Sequence, residues 1–217
     1  MQGLLAGAGE CSANIINDPY GNPEVEPYPH DPEMAAQLLD EAGWTMGADG
    51  IREKDGQKLS LEMDCPNGRY IKDRDMCLVL ASDLEEVGIE LNVNVLDWSV
   101  FIGKAANMGE GFADMHLIGS GPGFECRQDL GYVDAASGSN RSAYANEEIQ
   151  AILEELNTVF DFDERLALCW EAEQIARDDA AVVQVYFQTD FYGVSDRLQW
   201  EPRKDERILL IGADVAD

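Results

Sequence analysis

The stretch Leu59-Ser60-Leu61-Glu62-Met63-Asp64, followed by Asp73 to Val87 and then by Ile89 to Val95, contains the change of period that decides the fold. Residues 59–64 alternate apolar and polar, the period of two expected of a β-strand. From Asp73 the apolar positions move to Met76, Leu80, Leu84 and Val87, which share one face of a helix, and Gly88 ends it. Ile89 to Val95 then alternates again as a second strand. Strands joined through a helix of this length form a crossover, and crossovers build parallel sheets. The rhythm continues with a helix predicted over Trp98 to Asn107, a turn at Met108-Gly109-Glu110-Gly111, and a short apolar strand from Ala113 to Ile118. This pattern predicts an α/β fold with a mostly parallel sheet flanked by helices.

Upstream, the first thirty residues are punctuated by Asn17-Asp18-Pro19, Gly21-Asn22-Pro23 and Pro27-Tyr28-Pro29, and read as an extended, turn-rich connector. Asp31 is a good N-cap with Pro32 at the first helical position, and Ala35, Leu38, Leu39 and Ala42 recur at helical spacing until Gly43. Turn signals at Gly47-Ala48-Asp49-Gly50 and Asp55-Gly56 lead into the first strand. Downstream, a Gly/Ser/Asp-rich loop covers Gly119 to Ser142, and two helices are predicted over Asn146 to Val159 and Asp163 to Arg177. The second of these carries Leu166, Cys169, Trp170, Glu173 and Ala176 at helical spacing. Val182 to Phe187 is β-rich, and after Asp190 only short strand-like pieces such as Arg207 to Ile211 remain.

A chain of 217 residues with 45% hydrophobic side chains can bury a full core. Its 43 acidic against 15 basic residues give a formal net charge of -28, which repels a nucleic-acid backbone and an anionic membrane surface. Neither is a partner on this reading, and the absence of a long apolar run speaks against membrane insertion. Residues 1–9 have no basic segment and too short an apolar stretch for a signal peptide, and look like the tail of a helix. Cys11, Cys65, Cys77, Cys126 and Cys169 are scattered, which fits neither a zinc site nor a dense disulfide framework.

The supply of catalytic groups is thin. His30 lies in the proline-rich connector and His116 in a predicted strand, where a half-buried structural role is the simpler account. No nucleophile elbow, P-loop, zinc-protease helix, dinucleotide fingerprint or EF-hand loop occurs. Gly119-Ser120-Gly121-Pro122-Gly123 has the composition of a phosphate cradle but lacks its lysine and a following helix. Pairs such as Glu85-Glu86 and Asp178-Asp179 read as solvated faces in so acidic a chain. No catalytic residue, metal or cofactor is therefore assigned. In an open parallel α/β sheet, ligands bind outside the carboxyl ends of the strands. Here those ends carry Cys65 to Tyr70, Asp97-Trp98-Ser99 and Gly119 to Asp129, so Arg69, Tyr70, Trp98 and a glycine-rich loop gather on one edge, the composition of a polar pocket with stacking walls.

The order of several phrases carries a resemblance. Tyr28-Pro29-His30-Asp31-Pro32-Glu33-Met34-Ala35 through Leu38-Leu39-Asp40-Glu41-Ala42-Gly43-Trp44 resembles a phrase of the family 5 solute-binding proteins, the peptide and nickel group of ABC importers. Gly68-Arg69-Tyr70, Leu84 to Ile89, Leu96-Asp97-Trp98, Phe112 to Met115, Tyr144 to Ile149 and Glu164-Arg165 follow in the family's order, over roughly residues 1 to 200. The resemblance implies the C-terminal lobe of a type II, Venus-flytrap periplasmic-binding fold. Residues 1–27 would then be a hinge crossing and the end of an N-terminal lobe, 28–188 the solute-binding lobe, and 189–217 a return segment toward the missing lobe. It implies a periplasmic or cell-surface, non-enzymatic importer subunit that takes a peptide or similar solute between its lobes and meets ABC permease subunits. Peptide-binding relatives begin the loop after the third strand with Gly-Trp and carry an Asp that pairs with the peptide amino terminus. Here Ser120 follows Gly119, and Asp129 is the stand-in for that acid. The ligand-binding candidates are thus Arg69, Tyr70, Trp98, Gly119, Ser120, Gly121, Phe124, Arg127 and Asp129, with Arg69 and Arg127 suited to a carboxylate. A disulfide between Cys65 and Cys126 fits if the first and third strands are neighbours, and Cys65 with Cys77 is the other option. Two other readings are a small α/β enzyme that uses the Gly119–Asp129 loop or Cys126, and a sensor domain on a solute-binding fold.

Overall fold

The computed structural model describes residues 2–105, 113–121, 123–203 and 205–215. The chain opens with a short helix α1 (Gln2–Leu5) and strand β1 (Gly9–Cys11), then runs irregularly to α2 (Pro32–Glu41). Three short strands follow, β2 (Thr45–Met46), β3 (Arg52–Lys54) and β4 (Gln57–Lys58), and then β5 (Ser60–Asn67), α3 (Asp73–Glu86), β6 (Glu90–Asp97), α4 (Trp98–Ala105) and β7 (Met115–His116). The remainder is mostly helical, with α5 (Cys126–Asp129), a 3-10 turn at Leu130–Tyr132, α6 (Glu147–Glu155) and α7 (Phe162–Asp178), before the short strands β8 (Tyr186–Gln188), β9 (Leu198–Gln199) and β10 (Asp214–Val215). Among the described residues no helix is long and apolar enough to cross a membrane. The turn expected at Met108–Gly111 and the end of the helix expected to reach Asn107 lie outside the described residues.

Backbone contacts divide the chain into two units, one of residues 1–6 and 27–119, the other of residues 7–26 and 120–217. The division after Gly119 falls inside the stretch 28–188 that the sequence reading took as one lobe. The first unit is built on the parallel sheet. β5 lies between β6, paired from Ser60–Glu90 to Asn67–Asp97, and β7, paired at Met63–Met115 and Asp64–His116. A central parallel strand is covered on both faces, and β5 accordingly buries the consecutive run Met63 to Pro66. Met63, Cys65, Cys77 and Leu91 form its core, with Leu80 and Leu84 of the predicted α3 stripe packed against them. α3 runs from Asp73 as the apolar spacing predicts.

The amphipathic stripe of α2 behaves differently. Asp31 caps the helix by accepting from the Met34 N–H at 2.9 Å, yet none of its residues is fully buried, and Leu38 is 57% exposed. What ties α2 down is Arg52, buried on β3. Its guanidinium donates to the Asp40 carboxylate, to the Trp44 carbonyl at 2.6 Å and to the Ala36 carbonyl at 3.3 Å, and its Nε donates to the Val87 carbonyl at 2.7 Å. A planar cation with several fixed donors can bind helix, turn and strand together where apolar burial alone does not. The β2–β3–β4 meander closes on Asp55-Gly56, both at positive φ, which matches the twist of a tight hairpin.

The second unit is helical around a core of Ile15, Ile16, Leu130, Val133, Ile149, Ile152, Leu153, Leu156, Ala172 and Ala176. Residues 12–16, within the stretch read as an extended, turn-rich connector, have no regular structure but are largely buried, and Glu173 of α7 accepts from the backbone N–H groups of Ile15 and Ile16. The β-rich segment from Val182 is a strand only at β8, which pairs with β1, and Arg207 to Ile211 is not a strand; β9 pairs with β10 instead. Of the two cysteine pairings considered, Cys65–Cys126 is corrected and Cys65–Cys77 is the bridge observed; Cys126 bridges Cys169, and Cys11 is free and exposed. The physical reason is packing. Cys77 in the second turn of α3 faces the buried end of β5, and Cys126 in α5 belongs to the core of the other unit with Cys169.

Candidate functional site

At the carboxyl edge of the parallel sheet, the loop after β5 is shaped by one carboxylate. Asp73, at the start of α3, accepts from the backbone N–H groups of Gly68 (3.2 Å), Arg69 (2.8 Å), Tyr70 (3.1 Å) and Arg74 (2.8 Å). Burial alone would raise its pKa, but the four N–H donors hold it below the usual carboxylate range, so it is ionised at neutral pH. Gly68 at φ +77 supplies the bend that brings these donors round the oxygens.

The side chains this loop presents meet the end of β6. The Arg69 guanidinium lies 5.3 Å from the Tyr70 ring centroid and 5.2 Å from that of Trp98, and the two rings meet edge to face at 6.1 Å. Trp98 in turn stacks at 5.5 Å on Phe101, which is fully buried, so the platform rests on the core. The Tyr70 hydroxyl donates to the Gly119 carbonyl at 3.3 Å, and a Cβ at Gly119 would come within 2.7 Å of the Tyr70 ring. Gly119 is thus the residue that lets the tyrosine lie against the end of the β7 segment. Arg69 is exposed and has no ion-pair partner among the described residues. In a chain with so few cations this leaves a charge unspent, stacked on aromatic faces that fix its direction.

α4, which carries Trp98 and Phe101, is held from below by Asp64. This fully buried carboxylate on β5 accepts from Lys104 Nζ at 2.7 Å and from the Ala113 N–H at 3.0 Å. Neither Asp73 nor Asp64 was found by sequence reasoning. An acid just after Gly68-Arg69-Tyr70 at a helix start is a capping signal that could have marked the first, but nothing in the local pattern marks the second.

The remaining candidates belong to the other unit. Ser120, Gly121 and Phe124 are exposed, and the Arg207 guanidinium lies 5.5 Å from the Phe124 ring centroid. Arg127 pairs with Asp134 at 3.3 Å. Asp129 is 4% exposed and accepts from the Asn17 N–H at 2.8 Å, and a Cβ at Gly123 would clash with its oxygens. Burial raises the Asp129 pKa against the opposing Asn17 hydrogen bond. Arg127 and Asp129 therefore serve the inside of their unit in this structure, and Cys126, considered above as a nucleophile, is disulfide-bonded. The structure brings Arg69, Tyr70, Trp98 and Gly119 together, while Arg207, beside Phe124, had no sequence signal.

Comparison with known proteins gives this geometry a family. The pattern of the bacterial extracellular solute-binding proteins, family 5 Middle, matches residues 3–139. Protein XP55 of Streptomyces lividans is 34% identical over 154 residues, covering 70% of this chain and 28% of that protein. The oligopeptide-binding protein AppA of Bacillus subtilis is 24% identical over 190 residues, covering 84% of this chain and 34% of its own length. The solved structure of the Bacillus subtilis AppA, in complex with a nonapeptide, superposes over 100% of this chain and 44% of its own with a TM-score of 0.82 at 19% identity. NikA from Brucella suis, solved with Fe(III)-EDTA, covers 86% of this chain and 39% of its own with a TM-score of 0.69 at 24% identity. The fold is that of the type II periplasmic binding proteins, and the chain spans about a third of the length of the curated relatives it matches. It belongs to the bacterial extracellular solute-binding proteins of family 5.

Proposed function

We propose that the protein is the substrate-binding component of an ABC-type importer, exposed at the cell surface or in the periplasm, and that this chain supplies the C-terminal side of its pocket. Its solute is a peptide or similar small molecule bearing a carboxylate. It is handed to permease subunits without covalent chemistry. The observation that carries the carboxylate assignment is the unpaired Arg69 guanidinium, laid against Tyr70 and Trp98 at the carboxyl edge of the parallel sheet. A preoriented guanidinium matches a carboxylate with two parallel hydrogen bonds, and the aromatic faces exclude water beside it. Family membership supports the transport role, and the AppA complex supports a peptide-sized ligand. The enzyme reading loses its nucleophile to the Cys126–Cys169 bridge and its acid to the Asn17 backbone.

The test is a thermal-shift screen of the full-length parent protein against di- to pentapeptides, sugars, glutathione and nickel. A rise in Tm with one anionic class supports the assignment, since a ligand bound only by the native state stabilises it by mass action. With that ligand in hand, Arg69→Ala is expected to weaken binding roughly 10- to 100-fold, the value of a hydrogen-bonded charge pair. Unchanged affinity in Arg69→Ala, measured by calorimetry, would remove the carboxylate assignment while leaving the transport role standing.

A further inference from the structure

Asn67-Gly68 is the one Asn-Gly dipeptide in the sequence. Asn67 is the last residue of β5, its side chain is exposed, and its amide makes no hydrogen bond among the described residues. Asparagine before glycine is the arrangement most open to spontaneous deamidation, because the glycine nitrogen has no neighbouring Cβ to hinder its approach to the side-chain carbonyl. In that reaction the Gly68 nitrogen loses its proton to solvent base and attacks Asn67 Cγ. The Cγ–Nδ2 bond breaks, ammonia leaves, and water opens the resulting succinimide to aspartate or isoaspartate. No oxidant or reductant is needed, and the net change is one water consumed for one ammonia released.

The structure holds the attacking nitrogen elsewhere. The Gly68 N–H donates to Asp73 Oδ1 at 3.2 Å, and the next two N–H groups donate to Oδ2 of the same carboxylate. A negative oxygen on that proton opposes its removal, and three anchored amides fix the loop away from the geometry of attack. We propose that Asn67-Gly68 is a latent deamidation site that the Asp73 carboxylate keeps closed. Opening it would place a new carboxylate two residues before Arg69, at the edge where that guanidinium stacks on Tyr70 and Trp98. The chemistry itself does not depend on what Arg69 binds.

The test is mass spectrometry of the tryptic peptide Leu59–Arg69, after reduction and alkylation of Cys65, during incubation at mildly alkaline pH. Folded parent protein, denatured parent protein and folded Asp73→Asn are compared, with the peptide carrying Asn92 and Asn94 as an internal reference. The folded parent is expected to deamidate far more slowly than the denatured one, and Asp73→Asn about tenfold faster than the folded parent, the loss of one hydrogen bond to a charged acceptor. A folded parent that deamidates at the denatured rate, or a folded Asp73→Asn that is as slow as the parent, overturns the proposal. Should circular dichroism show Asp73→Asn to be unfolded, hydrogen exchange of the parent decides. A protected Gly68 amide supports the lock, and exchange at the unstructured rate sinks it.

Discussion

Glu173→Ala is expected to cost about 3 kcal/mol of stability, roughly 2–4 °C in Tm for each kcal/mol in a chain of this size. Glu173 is 0% exposed in the core of the second unit, and its Oε1 accepts from the backbone N–H groups of Ile15 and Ile16, at 3.0 Å for the latter. Alanine removes the acceptor, leaves two buried donors without a partner and opens a cavity beside Ile16 and Ala172. Glu173→Gln keeps a carbonyl oxygen where the acceptor was and removes the charge, so it is expected to stay within about 1 kcal/mol of the parent at neutral pH. Urea unfolding of the three proteins decides. Equal losses for Ala and Gln would mean that the charge, and not the acceptor, holds residues 15–16.

The same carboxylate makes stability depend on pH. Burial raises the Glu173 pKa, against the Ile16 and Ile15 hydrogen bonds and the nearby Arg177 charge, and the charge of Asp129 raises it further. Asp129 is raised by burial as well, with Glu125 adding to it. A group whose folded pKa lies above its unfolded value binds more protons in the native state. Its contribution is full below the unfolded pKa, near 4 for a carboxylate, and is lost as pH rises through the folded value. Mild acidification from neutral pH to about 5 is thus expected to move the unfolding midpoint of the parent to higher urea, and Glu173→Gln to show less of this gain. Asp73 has the opposite sign. Its lowered pKa stabilises the first unit at all higher pH, and that share is lost only as pH falls through its folded value.

The second large effect is expected from opening the Cys126–Cys169 bridge. It joins α5 to α7 across a sequence separation of 43, against 12 for Cys65–Cys77. A longer closed loop removes more entropy from the unfolded chain, so the entropic contribution is about 4 kcal/mol for the former and about 3 kcal/mol for the latter. The Cys126→Ala, Cys169→Ala double variant is expected to unfold at clearly lower urea than the parent, and by more than the Cys65→Ala, Cys77→Ala variant. Midpoints that coincide with the parent's would show that the helices hold α5 without the bridge. A bond of this kind persists in an oxidising compartment, which agrees with a family of extracellular proteins.

The parallel sheet and its flanking helices were legible because their signals are local. The period of two over Leu59–Asp64, the helical spacing of Met76, Leu80, Leu84 and Val87, and the cap at Asp31 depend only on near neighbours. The edge that gathers Arg69, Tyr70 and Trp98 was legible for a related reason, since a parallel strand order sends consecutive strand ends to one side. The irregular connector was legible from its turn signals at 17–29, but the burial of residues 12–16 was not, because the partner that accepts from Ile15 and Ile16 is Glu173, more than 150 residues away in sequence. The helix α2 was legible from its cap and spacing, but its anchoring was not, since Leu38 is exposed and the buried Arg52 holds the helix through Asp40.

By itself, then, the sequence determined the fold class, the strand–helix order, the family phrases and the edge on which candidate ligand residues collect, because each follows from spacing along the chain. Tertiary structure alone decided which cysteines pair, which of the candidate acids and cations remain available, and that Asp73 and Asp64 shape the Arg69 platform. Those outcomes turn on hydrogen bonds and disulfides between residues whose separation in sequence carries no period, and on burial, which sets whether a carboxylate is spent on the backbone or left free.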